Sequence, residues 1–238
     1  MTGAAALKSE ISKSFPDAEP ARVFFARQNL TLEETYGFTP DNTRFAEGGC
    51  SDEINEAELV FLEHYWGERF KFGGLAGYCH GGKTGLSAVS HHVPEVDGQK
   101  NLLLVAGTHI GFHDGIWGKV PRKGQDRLTA CCGSLSTVLA AGCETLKNRE
   151  PDPLDRQQYA VEQILLPYLS RCNEAGIPPD IVEATRFLQQ RIDEDMRVMV
   201  AELEDRFDGL IALITGVTIN TVQGNFFSAS IVEIRGAK

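Results

Sequence analysis

The run Asn101-Leu102-Leu103-Leu104-Val105-Ala106 constrains the fold more than any other segment. It is short, apolar from Leu102 onward, and bounded by Gly98-Gln99-Lys100 on one side and Gly107 on the other. A brief apolar run between turn signals reads as a buried strand. Such a strand needs other strands beside it and helices over it. The rest of the chain offers both. Residues 4–14 and 20–28 read as short helices around Phe15-Pro16-Asp17, and residues 29–49 as a loop with turns at Thr39-Pro40-Asp41-Asn42 and Gly48-Gly49. Ser51 can cap a helix over 52–69, with Asp52 and Glu53 in its first turn and Ile54, Ala57, Phe61 and His64 on one face. A short helix over Thr84–His91 stops before Pro94, and a weak strand falls at Ile116–Val120. Helices follow at 133–148, 155–174 and 179–207. The last carries the stripe Ala184, Leu188, Ile192, Met196, Met199, Leu203 and Phe207, expected in the core. Leu210–Val222 and Phe226–Arg235 read as a hairpin around Gln223-Gly224-Asn225. The expected fold class is mixed α/β, with a mostly parallel central sheet, antiparallel edge strands and flanking helices.

Composition narrows the function. The 238 residues hold 42% hydrophobic and 24% charged side chains, an ordinary globular balance. The net charge of −10 argues against a general nucleic-acid binder, since phosphate contacts need a basic surface. The longest apolar stretches, Leu102–Ala106 and Gly209–Val217, fall far short of the roughly 20 residues of a bilayer helix. The N-terminal residues lack the basic and apolar regions of a secretory signal. Cysteines stand at 50, 79, 131, 132, 143 and 172 without the spacing of a disulfide framework. A reducing compartment is expected, where clustered cysteines mean metal or catalysis.

Gly77-Tyr78-Cys79-His80-Gly81-Gly82-Lys83-Thr84 satisfies the phosphate-loop pattern G-x-x-x-x-G-K-[ST] letter for letter. That chemistry needs an apolar strand before the loop and a full helix after it. Phe70-Lys71-Phe72-Gly73-Gly74 is a poor strand, and Pro94 cuts the helix short. A nucleotide site is therefore the weakest reading, and the glycines are expected to permit close backbone packing.

Three segments carry candidate metal ligands. Cys50 precedes a predicted helix, whose N-terminus favours a thiolate. His109 follows the strand 101–106, at the end where α/β sheets place their sites. Cys131 and Cys132 again precede a helix. Two thiolates and an imidazole leave a fourth metal position open, the pattern of a catalytic zinc site. The plain alternative is that the cysteines are small buried residues and His109 makes core hydrogen bonds.

Five blocks in order carry a resemblance: CSDEIN (50–55), GGLAGYCHGGKTGLSAVSHHVP (73–94), GTHIGFHDG (107–115), GKVPRKGQ (118–125) and CCGSL (131–135). Together they resemble the limiting-CO2-inducible protein B family, the theta-class carbonic anhydrases, over roughly residues 30–150. The resemblance implies a beta-carbonic-anhydrase-like fold in a single domain spanning 1–238. Its parts would be N-terminal helices and loop over 1–49, a motif-bearing core over 50–150, and C-terminal helices and hairpin over 151–238. It implies one zinc ion per chain, bound by Cys50, His109 and one cysteine of the pair. A cysteine preceding glycine points to Cys132 over Cys131. Cys50-Ser51-Asp52 matches the beta-type Cys-x-Asp motif, but Ile54 stands where that motif has arginine. The arginine partner of Asp52 must then come from elsewhere, with Arg122 first and Arg44 second.

By the same resemblance, the reaction is reversible hydration of carbon dioxide to bicarbonate. A zinc-bound hydroxide attacks carbon, and Asp52 accepts its hydrogen bond and aims its lone pair. His91, His92 and His113 are candidates for proton transfer to bulk water. Tyr78 and Phe112 are candidates for an apolar carbon dioxide pocket. A homodimer is implied, in a soluble intracellular setting: plastid stroma for an algal source, cytoplasm for a bacterial one. The competing reading is a catalytically weak member serving as a carbon-dioxide-responsive scaffold subunit, favoured by the departure at Ile54.

Overall fold

The computed structural model describes residues 3–236. Helix α1 (Gly3–Ser14) leads through the two-residue strand β1 (Glu19–Pro20) into α2 (Ala21–Tyr36), which ends at Gly37 in the left-handed region (φ 75°). Strand β2 (Thr43–Gly48) follows, then a 3-10 turn (Glu53–Asn55), α3 (Glu56–Trp66) and the short β3 (Phe70–Lys71). Helix α4 (Gly82–Ser90) precedes β4 (Asn101–Ala106) and β5 (His109–His113). Three two-residue strands come next: β6 (Ile116–Trp117), β7 (Lys119–Val120) and β8 (Thr129–Ala130). Helices α5 (Gly133–Lys147), α6 (Arg156–Ala175) and α7 (Ile181–Glu204) lead to the long hairpin β9 (Leu210–Asn220) and β10 (Phe226–Arg235).

The main sheet has the order β1-β10-β9-β4-β2-β3. Strands β3, β2, β4 and β9 run parallel, while β10 and β1 add antiparallel edges. The first half of β9 pairs with β4 and its second half, in parallel, with β5. The two shorter strands thus follow one another along β9. Gly107, between them, makes this possible: a Cβ there would lie 1.8 Å from the carbonyl oxygen of Gly216. The expected α/β class, with a mostly parallel sheet and antiparallel edges, is the one observed.

Helices cover both faces. Leu102, Leu104 and Ala106 pack under α4, α5, α6 and α7, with the predicted α7 stripe from Ala184 to Leu203 among their partners. Leu103 and Val105 point the other way, into a cluster with Phe24, Phe25 and Leu32 of α2 and Leu62 and Trp66 of α3. Period-two alternation between two covered faces explains why β4 is apolar at every position from Leu102 on. Among the described residues, no helix is long and apolar enough to cross a membrane.

Four local expectations need correction. Residues 29–49 are not a loop: α2 continues to Tyr36, and Thr43–Gly48 is a central strand. The strand hides in the sequence because it carries Arg44 and Glu47. Arg44 turns outward and donates to the carbonyls of His92 and Glu68, while Glu47 is buried. A second strand, β5, hides behind its histidines and Gly111. The helix expected over 52–69 begins only at Glu56, and its buried face is Glu58, Leu62 and Trp66; Ala57 and His64 are exposed. Polar partners turn that face inward: Trp66 Nε1 donates to Asn29 Oδ1 at 2.9 Å, and Asn225 Nδ2 to Glu58 Oε2 at 2.5 Å. The weak strand at 116–120 splits at Gly118 into β6 and β7. The phosphate-loop segment follows a two-residue strand. Its Gly77 presses on Gly107, where a Cβ would meet the carbonyl oxygen at 2.0 Å, and Lys83 pairs with Glu202. The glycines serve packing.

Because Leu104 is fully buried between β2, β9 and the helical layer, Leu104→Ala is expected to destabilise the protein by about 2–5 kcal/mol. Val23→Ala, at an exposed α2 position, should stay within about 0.5 kcal/mol of wild type. Urea denaturation measures both; similar midpoints for the two would show that β4 is not the core strand.

Candidate metal centre

From β2 the chain crosses to β3 on one side, and from β4 it ultimately reaches β9 on the other. The carboxyl ends of these adjacent parallel strands therefore open a crevice where the connections diverge, the usual position of a site in an α/β sheet. Gly48 and Ala106 are the last paired residues. Cys50 stands two positions beyond the first and His109 three beyond the second. Cys131 and Cys132 arrive from the β7–β8 ribbon, at the N-terminus of α5. Gly111 N–H donates to the Cys131 carbonyl at 2.8 Å, and Cys131 N–H to the Gly118 carbonyl at 2.9 Å, pinning this segment against β5. The absence of a side chain at Gly111 matters here, since a Cβ would lie 2.9 Å from that of Cys131.

The Sγ atoms of Cys50 and Cys132 and a ring nitrogen of His109 lie within 4.8 Å of one another, all three residues buried. A second grouping with the same spacing joins Asp52, His109 and Cys131. The two cysteines of the pair differ in their neighbours. Cys131 Sγ lies 3.5 Å from His109 Nδ1 and donates to Asn220 Oδ1 at 3.4 Å. Cys132 Sγ faces Cys50 Sγ, within 4.8 Å. That contact, with backbone amides of Leu135 and Ser134 at the start of α5, holds the Cys132 thiol below its ordinary pKa against the effect of burial. The same contact, reinforced by burial, pushes Cys50 upward. The helix effect expected at Cys50 thus operates at Cys132. Cys50 precedes a 3-10 turn capped by Asp52, whose Oδ1 accepts from Ile54 N–H at 3.4 Å, and not the start of a full helix.

His109 Nε2 is buried without a hydrogen-bond partner among the described residues. A buried nitrogen in that condition is costly unless something fills the role. Two thiols and an imidazole with a free nitrogen fit a tetrahedral zinc ion with one position open.

Arg122, from the turn between β7 and β8, grips Asp52 with a two-pronged contact: Nη1 to Oδ1 at 2.9 Å and Nη2 to Oδ2 at 2.8 Å. Its Nε donates to Thr129 Oγ1 at 3.0 Å, and it also contacts Glu53. Burial is the largest single influence on Asp52 and works to raise its pKa, but the Arg122 hydrogen bonds, the neighbouring His109, the Glu53 contact and the Arg122 charge together outweigh it and hold the carboxyl below its ordinary value. The Asp52 Oδ2 to His109 Nε2 distance of 3.9 Å is too long for a hydrogen bond. Arg44, the second choice as partner, is engaged with backbone carbonyls elsewhere.

A narrow cleft of about 40 Å³, partly open to solvent, leads to Cys50 and His109. Its apolar walls are Phe25, Leu59, Leu62, Val105 and Phe227, with Thr108, Glu47, Asn55 and Glu58 as polar lining. Burial pushes both glutamates up. Thr108 Oγ1 is also buried without a partner among the described residues. Tyr78 and Phe112, the expected pocket residues, lie elsewhere: Tyr78 donates to Asp195 at 2.8 Å, and Phe112 packs on Trp117. Nor do His91, His92 or His113 line this cleft.

The chain matches, over residues 20–236, the family described as limiting CO2-inducible proteins B/C beta carbonic anhydrases. It belongs to that family. A crystal structure of PtLCIB4, a homolog of the limiting CO2-inducible protein LCIB, superposes with a TM-score of 0.84 at 32% identity, covering 96% of this chain and 95% of that one. LCIB itself superposes with a TM-score of 0.72 at 24% identity, covering 95% and 93%, and at that identity speaks for the fold. No curated protein matches the chain. Within this family fold, sequence reasoning missed the cleft residues Phe25, Phe227, Thr108 and Glu47, and the amides of Asn55 and Asn220. The aromatic walls come from α2 and β10, far in sequence from every motif block.

The cluster predicts how zinc affects stability. At about 100-fold excess over its dissociation constant, zinc should stabilise metal-free protein by about 2.7 kcal/mol. Cys131→Ser and Cys172→Ser should keep that gain, and Cys132→Ser should lose most of it. Thermal unfolding with and without zinc decides; a loss in Cys131→Ser with none in Cys132→Ser would exchange the ligands.

Proposed function

We propose that the protein is a zinc-dependent carbonic anhydrase, converting carbon dioxide and water reversibly into bicarbonate and a proton. The observation that carries this reading is the Asp52–Arg122 grip beside the Cys50–His109–Cys132 cluster. Membership of a family described as carbonic anhydrases supports it.

Cys50, Cys132 and His109 would hold one zinc ion per chain, the cysteines as thiolates and the imidazole through Nε2. The bound ion acts as a Lewis acid that makes water a nucleophile near neutral pH. The remaining work falls to the chain. Two thiolates already neutralise the dication, so the protein must supply further orientation. Asp52 accepts the hydrogen bond of the attacking group and turns its lone pair toward the cleft. Left alone, that carboxylate, whose Oδ2 lies 3.9 Å from His109 Nε2, could swing onto the metal position and close it. Arg122 prevents this, because a two-pronged guanidinium contact fixes both carboxylate oxygens. The departure at Ile54 therefore loses its weight as an argument for a scaffold. A guanidinium reaches Asp52 from a distant loop instead of from two residues away.

The cleft suits the substrate. Carbon dioxide is small and uncharged, and Phe25, Leu59, Leu62 and Phe227 offer an apolar approach to the metal position. Bicarbonate is charged, and such walls hold it poorly, which favours its release. The reading carries with it a homodimer and an intracellular, reducing compartment, a plastid or the cytoplasm according to source. The six free cysteines are consistent with such a compartment.

Stopped-flow hydration on protein of assayed zinc content tests the proposal. Wild type should carry one zinc per chain and hydrate carbon dioxide. Cys50→Ser should lose both metal and activity. Arg122→Ala should keep its zinc and lose activity on the order of 10- to 100-fold. Full zinc occupancy with no hydration by wild type would overturn the enzyme reading in favour of a metal-bearing scaffold.

A further inference from the structure

His109 Nδ1 lies 2.8 Å from Asn220 Oδ1, at the far end of β9. The register explains the contact. Asn220 pairs with Gly111 across the β5–β9 ladder, two positions from His109 and on the same face. Gly111 has no side chain to intervene, so the amide can lean along the strand to the imidazole. Both Asn220 and His109 are essentially buried.

The direction of this hydrogen bond follows from its surroundings. Asn55 Nδ2 donates to the Asp52 backbone carbonyl at 3.3 Å. A carbonyl can only accept, so the Asn55 amide is oriented with its NH2 toward Asp52 and its oxygen away. That oxygen accepts from Asn220 Nδ2 at 3.1 Å. Asn220 must then present its own oxygen to His109, and a carbonyl oxygen requires a proton on Nδ1. The imidazole is left with its lone pair on Nε2, the nitrogen buried without a partner. The thiol of Cys131 donates to the same Asn220 oxygen.

We infer that Asn220 is a positioning residue which, oriented by Asn55, fixes His109 with Nδ1 protonated and Nε2 free to bind the metal. The inference deepens the carbonic anhydrase reading and rests on it. The polarity starts at the backbone carbonyl of Asp52, the residue gripped by Arg122. The group that orients the attacking water and the group that orients the metal ligand thus share one anchor.

Zinc affinity by chelator competition, the visible spectrum of cobalt-substituted protein and long-range 1H–15N NMR of zinc-loaded, histidine-labelled wild type test it together. Wild type should show His109 protonated at Nδ1 and ligated through Nε2. Asn220→Ala should bind zinc about 10- to 100-fold more weakly and change the cobalt spectrum. Asn220→Asp, which keeps an acceptor toward Nδ1, should recover most of the affinity. A merely structural asparagine would lower the unfolding temperature of both variants without moving affinity or spectrum in the folded protein. Should Asn220→Ala fail to fold, the wild-type NMR still decides: ligation through Nδ1 overturns the inference. Wild-type affinity in folded Asn220→Ala overturns it as well, while leaving the enzyme reading intact. Failure of wild type to bind zinc would remove both.

Discussion

Strands β2 and β4 run parallel in unbroken register, from Thr43 opposite Asn101 to Gly48 opposite Ala106. Neighbouring strands lie about 4.8 Å apart. A tetrahedral metal with bonds of about 2.0 to 2.3 Å holds its donors roughly 3.5–4 Å apart. Two residues that leave the ends of adjacent strands therefore begin close to the separation a metal requires. Cys50 and His109 need only short backbone adjustments to converge, and the glycines around them permit these. Gly73 backs onto the Gly48–Gly49 peptide so tightly that a Cβ would stand 2.3 Å from the Gly49 carbonyl oxygen. The cluster is a consequence of strand pairing, and the helical layers keep that pairing rigid.

Electrostatics completes what the register begins. Asp52 and Arg122 are both largely sheltered, with side-chain exposures of 13% and 19%. At that depth a lone carboxylate is expensive, and its options are to take a proton, to find a cation or to approach a metal. The guanidinium decides among them, because its planar fork satisfies both oxygens at once. Glu53 shares the same guanidinium but stands largely in solvent, so its contribution is screened. The dominant contact is the two-pronged one with Asp52. Beside the candidate ligands, the amides of Asn55 and Asn220 give direction without net charge.

What the sequence reveals depends on whether the cause is local. The β4 run, the α7 stripe and the β9–β10 hairpin are set by their own periodicity and turn residues, and they are found where periodicity puts them. Strand β2 is made by its neighbours: Arg44 and Glu47 look like loop residues until β4 is laid beside them. In α3, counting apolar residues selects the wrong face, since Glu58 turns inward to meet Asn225. The motif blocks bring Cys50, Asp52, His109, Cys132 and Arg122 to notice by family resemblance, whereas spacing alone is silent about residues so far apart. Asn55 reads as part of a helical first turn and Asn220 as the approach to a hairpin turn. Nothing in either neighbourhood indicates a buried amide beside a histidine. Phe25 and Phe227 reach the cleft from opposite ends of the chain, on elements whose hydrophobic pattern is satisfied equally well by ordinary core packing.

The β7–β8 ribbon ties these pieces into one device. Arg122 lies in its turn, braced by Thr129 and by the Ala130 carbonyl, and β8 runs directly into Cys131 and Cys132. One short segment therefore delivers both the third candidate ligand and the cation that restrains Asp52. On the opposite wall, the segment leaving β2 carries Cys50 and Asp52 two residues apart. Each segment contributes one candidate metal donor and one member of the ion pair. The Asp52–Arg122 contact therefore holds together the two segments from which the candidate ligands come.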